Sequence, residues 1–343
     1  MTLRQPLFNL EALARYKQGL AQSDYNAAAF DSRTQEMILR VTSAYVDALF
    51  ASEQVRIIGA QRATYLEQKR VNDRLFDKGE GPRTDMLETQ SKLDLAEAQM
   101  LEALDNQAVQ RATLATLVGQ EVGELDELAP NFRVAALPEG GFEAWRKLAL
   151  DSNPDLRAQV YAIESAKQEF NKSMAGHAPR IDVFASYTKA NGETLNTYTQ
   201  ESTARAVGVQ INVPLYSGGY VNAVSRQARA GLEKARTELQ AKTDKVLLDL
   251  RKQYTSVVSG VARIQALDRA VESGELLVKA TGQSIKGGVR INLDLLNAQQ
   301  QLSSSLRDQA QARYNYLLST LRLRAAAGLL GMDDVRQMAT YFR

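Results

Sequence analysis

Apolar and small residues recur between 219 and 286 at Val224, Ala228, Leu232, Ala235, Leu239, Val246, Leu250, Tyr254, Val257, Val261, Ile264 and Val271. With Thr243 and Leu267 counted as members, the mean step is about 3.6 residues, the period of an amphipathic helix. Arg226, Arg229, Glu233, Arg236 and Asp244 fall between them and form a wet face. No proline interrupts this stretch, nor the stretch 23–77, whose one glycine is Gly59. At ~1.5 Å per residue each predicts a rod of ~80–100 Å. Helical patterns beyond about 25 residues without caps point to coiled coils or helical repeats. A step near 3.6 lets neighbouring helices run nearly straight, whereas a strict 3.5 repeat imposes a left-handed supercoil.

Shorter return helices are predicted over 84–118 and 293–327, each ~50 Å long, so each covers about half of a long partner. Asn153-Pro154-Asp155-Leu156 opens a further helix: Ser152 or Asn153 can cap it, proline suits its first turn, and Pro179 stops it. A connector with Pro130, Pro138 and Gly140-Gly141 precedes that helix, and Trp145 in its amphipathic piece 142–150 reads as a packing anchor.

From 181 the period changes to two. Ile181, Val183, Ala185 and Tyr187 alternate with Asp182, Phe184, Ser186 and Thr188. After a polar loop at 191–200, Ala204, Ala206, Gly208, Gln210 and Asn212 alternate with Arg205, Val207, Val209, Ile211 and Val213. One face is small and polar and the other apolar, as where lipid meets one side and water the other. A soluble hairpin gives the same pattern. A lone hairpin is marginal, so other chains or further sequence must complete these strands. Ser217-Gly218-Gly219 then turns the backbone into the second rod.

The chain also repeats itself. A shift of 209 residues places Tyr45 on Tyr254, Gly79 on Gly288, Asp85 on Asp294, Leu87 on Leu296, Gln90 on Gln299, Leu93 on Leu302 and Gly119 on Gly328. A one-residue slip brings Gln5-Pro6-Leu7-Phe8 onto Val213-Pro214-Leu215-Tyr216. Each copy reads as a short strand, a very long helix, a glycine-containing bend and a returning helix.

Composition narrows the chemistry. The 343 residues carry 42 basic and 40 acidic side chains, a balance that gives no case for nucleic acid. One histidine, His177, and no cysteine exclude a Cys/His zinc site, a thiol nucleophile and a disulfide framework. His177, at a helix boundary, reads as structural. No run approaches 18 apolar residues, so no transmembrane helix is predicted, and Met1-Thr2-Leu3-Arg4-Gln5-Pro6 lacks the features of a signal peptide. There is no phosphate loop, dinucleotide fingerprint or hydrolase elbow. No enzymatic activity and no cofactor are expected.

Pro214-Leu215-Tyr216-Ser217-Gly218-Gly219 before a long helix, then Gly288-Val289-Arg290-Ile291-Asn292-Leu293-Asp294-Leu295-Leu296-Asn297-Ala298-Gln299-Gln300-Gln301-Leu302, resembles the TolC family of outer-membrane efflux and secretion channels. Ala312-Arg313-Tyr314-Asn315-Tyr316-Leu317-Leu318, Asn153-Pro154-Asp155-Leu156 and Pro179-Arg180-Ile181 continue the resemblance, which covers almost the whole chain. The glutamine-rich segment 297–302 is most similar to members serving type I protein secretion.

The resemblance implies a mainly α fold with a small β portion: long antiparallel hairpins forming a periplasmic α-barrel, and strands of an outer-membrane β-barrel shared by a homotrimer. It implies a passive duct in contact with outer-membrane lipid, with most of the chain in the periplasm. Its partners would be a periplasmic adaptor and an inner-membrane transporter that supplies the energy. Copy one lacks the family's opening helix and first strand, so a shortened amino terminus is expected. The implied division is a remnant strand at 1–9, hairpins at 10–118 and 217–328, and a connector at 119–151. A helix at 152–178, a β-hairpin at 179–216 and a tail at 329–343 complete it. A small-molecule efflux duct and a soluble coiled-coil scaffold are the alternatives.

Site residues follow from the same resemblance. Asp294 matches a position whose three symmetry copies form an acidic ring at the closed entrance, where converging carboxylates would attract cations. Asn297 stands where some members carry a second acid. Arg290 matches a basic residue that holds the entrance shut, with Thr84 and Asp85 as its expected partners; Ile285 stands where an aromatic latch is usual. Gly79, Gly81, Gly287 and Gly288 are expected to supply the positive φ values of tight turns. Leu75, Phe76, Val289 and Ile291 flank those turns, where exposed apolar side chains would suit an adaptor hairpin.

Overall fold

The computed structural model describes residues 1–129, 132, 134, 140–194, 197–287 and 289–342; the side chains of 193, 194, 197–200 and 286 lie outside it. Pro130, Pro138 and Gly288 are therefore outside the described residues. The elements are β1 (Thr2–Phe8), α1 (Leu10–Asp77), α2 (Arg83–Val118), α3 (Gly141–Ser152), α4 (Pro154–Met174), a 3₁₀ turn (Ala175–His177), β2 (Arg180–Thr194), β3 (Thr197–Asn212), α5 (Tyr220–Lys286), α6 (Asn292–Ala326) and α7 (Met332–Ala339). They divide into two compact units, Met1–Ser32 with Pro154–Lys245, and Arg33–Asn153 with Val246–Arg343.

In the first unit the strands pair antiparallel in the order β1-β2-β3. Pro6, which cannot donate to a ladder, sits on β1 beside a register shift between Pro6 and Phe8, as an edge strand allows. The polar stretch expected as a loop is mostly ladder: Asn191 pairs with Glu201 and Gly192 with Gln200. Backbone hydrogen bonds, which the side-chain pattern does not report, carry the strands past their apolar part. The helices of this unit are tied by polar links. Asp155 accepts from Ser32 Oγ at 2.7 Å and pairs with Lys242 at 2.9 Å, and Glu169 accepts from Gln18 Nε2 at 3.0 Å. His177 Nε2 lies 3.1 Å from Asn222 Oδ1, a structural contact.

In the second unit the buried residues of α5 include Leu250, Val257, Ile264 and Val271, each seven residues after the last. Over so short a span a heptad and the expected 3.6 period differ by less than one residue. Val46 and Leu49 of α1, Tyr314, Leu317, Leu318 and Leu321 of α6, and Met338 of α7 share one core with Leu330 and Phe342. Asp334 pairs with Arg324 and accepts from the Gly331 N–H at 3.0 Å, which starts α7. Trp145 and Ala149 of α3 are buried, and Asn153 Nδ2 donates to the Ala326 carbonyl at 2.9 Å.

Candidate functional site

Helix α1 ends in a compact turn. Gly79 has φ 74°, and the Leu75 carbonyl accepts the N–H groups of Glu80 at 2.8 Å and Gly81 at 3.1 Å. Gly81 is not in the left-handed region; its constraint is space, since a Cβ there would lie 3.0 Å from Leu75 Cβ. Gly287 has neither constraint: its φ is not positive, and the nearest atom to an added Cβ is 3.6 Å away. Of the glycines expected at positive φ, Gly79 alone adopts it among the described residues. The second turn is instead closed by backbone bonds from Val289 N to Ser284 O at 3.0 Å and from Asp294 N to Ile291 O at 3.2 Å.

Arg290 Nη1 meets Asp294 Oδ2 at 3.2 Å, one helical turn along its own segment. The expected partners Thr84 and Asp85 instead stand at the start of α2, with no bond to Arg290. A residue four positions ahead is the nearest acid a guanidinium can reach without crossing to another helix. Thr84 and Asn297 are exposed, and Asp85 is half-buried, which pushes its carboxyl above the usual range. Leu75, Phe76, Val289 and Ile291 are all exposed apolar side chains, Val289 to 80%.

Beneath these residues lies a buried polar network that joins α1, α2 and α6. Thr89 Oγ1 donates to the Asp85 carbonyl at 2.8 Å and accepts from Asn72 Nδ2 at 2.8 Å and Asn292 Nδ2 at 3.2 Å. The same two amides reach the Asp85 carbonyl, at 3.3 Å from Asn72 and 3.4 Å from Asn292. Gln68 Nε2 donates to Asn72 Oδ1 at 3.2 Å and to Asn292 Oδ1 at 3.1 Å. Asn72, Thr89 and Asn292 are buried, beside a core of Tyr65, Leu93, Ala96 and Leu296. The network thus sets Asn292, the first residue of α6, against Asp85 in the first turn of α2.

The sheet has the two faces its alternation predicts. Ile181, Val183, Ala185 and Tyr187 share one face with Ile211, Val209, Val207 and Arg205, and β1 adds Leu3 and Gln5. Val207 is 81% exposed there, and the Arg205 guanidinium lies 5.7 Å from the Tyr187 ring centre. The other face carries Asp182, Phe184, Ser186 and Thr188 with Gln210, Gly208, Ala206 and Ala204. From Ile181 to Tyr187 on β2 the stripe spans roughly 20 Å at about 3.3 Å per residue, close to the height of a bilayer-facing band.

Residues 1–120 and 145–329 match the outer membrane efflux protein family. The chain belongs to that family. It is 41% identical over 344 residues to the alkaline protease secretion protein AprF of Pseudomonas aeruginosa, covering 100% of this chain and 72% of the relative. It is 34% identical over 348 residues to the proteases secretion protein PrtF of Dickeya chrysanthemi, covering 100% and 75%. Among solved structures, the Campylobacter jejuni CmeC outer membrane channel superposes with a TM-score of 0.84 at 14% identity, over 100% of this chain and 74% of that one. The fold is TolC-like and mainly α.

For this member of the outer membrane efflux protein family, sequence reasoning named Arg290, Asp294, Asp85 and Thr84 but passed over Gln68, Asn72, Thr89 and Asn292. The signal was present. Asn72 falls seven residues after Tyr65, and Thr89 four before Leu93, so both stand in a buried seam where an apolar residue is the norm. A polar side chain in such a position needs a partner, which is what the network supplies.

Proposed function

We propose that the chain is the outer-membrane exit duct of a tripartite type I protein secretion system, assembled as a homotrimer and fed by a periplasmic adaptor and an inner-membrane transporter. It carries out no reaction; the transporter supplies the energy. The observation that carries this reading is the sheet with an apolar stripe on one face and, apart from Phe184, small or polar residues on the other, in a chain otherwise built of very long helices. A stripe of this height suits lipid, and the opposite face suits a water-filled bore. Protein secretion rather than small-molecule efflux is favoured by AprF and PrtF, both named for the secretion of proteases.

On this reading Arg290, Asp294, Asn297, Thr84 and Asp85 form the periplasmic gate. Gly79, Gly81, Gly287 and Gly288 with Val289 and Ile291 form the tip on which the adaptor docks. The exposure of Val289 and Ile291 at one turn, and of Leu75 and Phe76 at the other, supports the second assignment. The Arg290–Asp294 pair supports the first, since removing the cation leaves the carboxylates of three copies facing one another.

The test is restoration of protease export in a strain lacking its own secretion channel. Export into the medium is the expected result. Restored dye resistance without protein export would favour small-molecule efflux, and extraction without detergent would favour a soluble scaffold. In the reconstituted natural protein, Arg290→Ala should raise closed-state conductance; an unchanged value removes Arg290 from the gate.

A further inference from the structure

The buried network is built unequally. Inside the α1–α2 hairpin its four bonds run from 2.8 Å, for Asn72 to Thr89 and Thr89 to the Asp85 carbonyl, to 3.2 Å for Gln68 to Asn72 and 3.3 Å for Asn72 to the Asp85 carbonyl. The three bonds that Asn292 contributes from α6 run from 3.1 to 3.4 Å. Every atom that Asn292 touches also keeps a second partner within the hairpin. The Asp85 carbonyl keeps Thr89 and Asn72, Thr89 Oγ1 keeps Asn72, and Gln68 Nε2 keeps Asn72 Oδ1.

A buried polar group left without a partner is costly, and that cost normally locks a network shut. Here the cost is avoided on one side. Asn292 can leave, and no group of the hairpin is stranded. The apolar contacts nearby, such as Leu296 against Tyr65 and Leu93, are non-directional and tolerate small displacements. The amide bonds are directional, so they distinguish a docked from an undocked helix start.

The internal repeat shows that this is not a general need of these hairpins. At the shift of 209 residues Gln68 corresponds to Leu277, Thr89 to Ala298 and Asn292 to Arg83. The positions equivalent to this network, Leu277 and Ala298 in the second copy and Arg83 in the first, therefore supply neither the hub hydroxyl nor the two amides.

We propose that Asn292 is a releasable catch, a positioning residue that holds the start of α6 in register against the α1–α2 hairpin and whose departure frees that end of the helix. Because it stands two residues from both Arg290 and Asp294, its release would carry the gate pair away from α2. This rests on the duct reading only for the consequence in conductance; the release itself does not.

The experiment compares amide hydrogen exchange in the natural full-length protein with that of Asn292→Leu and Thr89→Val. In Asn292→Leu, exchange over 292–298 should rise about tenfold, as expected for one or two lost net hydrogen bonds, while exchange over 84–90 stays unchanged. In Thr89→Val, which removes the shared hub, both segments should exchange faster. Unchanged exchange over 292–298 in Asn292→Leu, or an equal rise over 84–90, overturns the catch. In planar bilayers Asn292→Leu should raise closed-state conductance above that of the unsubstituted protein. Unchanged conductance in a conducting preparation overturns its part in opening. If the unsubstituted protein does not conduct, the duct reading falls, and the exchange result still decides the catch.

Discussion

Gly119 and Gly328 occupy equivalent places in the two copies and share the same backbone, with φ 77° and 76°. Their surroundings differ. Nothing lies within 4 Å of a Cβ added at Gly119, whereas one at Gly328 would meet the Ser152 carbonyl oxygen at 2.5 Å and Asn153 Cα at 2.6 Å. Gly119→Ala should therefore cost about 1–2 kcal/mol, the left-handed penalty alone. Gly328→Ala should cost about 3 kcal/mol or more, because backbone cannot rotate out of the way. Denaturant midpoints of the two variants measure the difference, and equal shifts would contradict it. The glycine pair was legible in the sequence as a match between copies. The contact with Ser152 was not, because a close approach between residues distant in the chain leaves no mark on periodicity. Arg290 and Asp294 follow the same rule: both were legible as residue types, but the pairing of Arg290 with Asp294 rather than Asp85 is a matter of reach.

Leu87 and Leu296 are likewise equivalent by the repeat, yet Leu87 on α2 is 54% exposed and Leu296 on α6 is 0% exposed. A helix pattern shows that an apolar stripe exists, and it does not show which copy turns that stripe inward. Leu296 belongs to the core with Tyr65, Leu93 and Ala96. Leu296→Ala should lower stability by about 2–5 kcal/mol through lost burial and an unfilled cavity. Leu87→Ala in a single chain should cost less than about 1 kcal/mol. A thermal melt of each variant before assembly checks this, and a larger loss for Leu87 would reverse the assignment of seams. The long helices themselves were legible because proline is absent from them and apolar steps persist.

The strand alternation gave the two faces of the sheet correctly, since opposite sides of a pleat differ by one residue in the chain. The length of the hairpin was hidden, because the ladder runs on through the polar positions Asn191, Gly192 and Thr194, opposite Glu201, Gln200 and Thr197. Val209→Arg, in the middle of the apolar stripe, should abolish recovery of the protein in the outer-membrane fraction; a lipid-facing arginine costs roughly 2–4 kcal/mol per copy near the midplane. Gln210→Arg, on the other face, should be recovered normally. Recovery of both variants alike would remove lipid from that stripe. Among the described residues the sheet order β1-β2-β3 leaves the outer margins of β1 and β3 without a neighbouring strand. Such margins zip onto whatever extended backbone they meet first. Closure is thus a race between correct encounters and accidental ones, and its outcome turns on how many newly made copies are present at once. A cell that overproduces this polypeptide ahead of its delivery to lipid would accumulate tangled, insoluble material, and slow synthesis would give the higher yield.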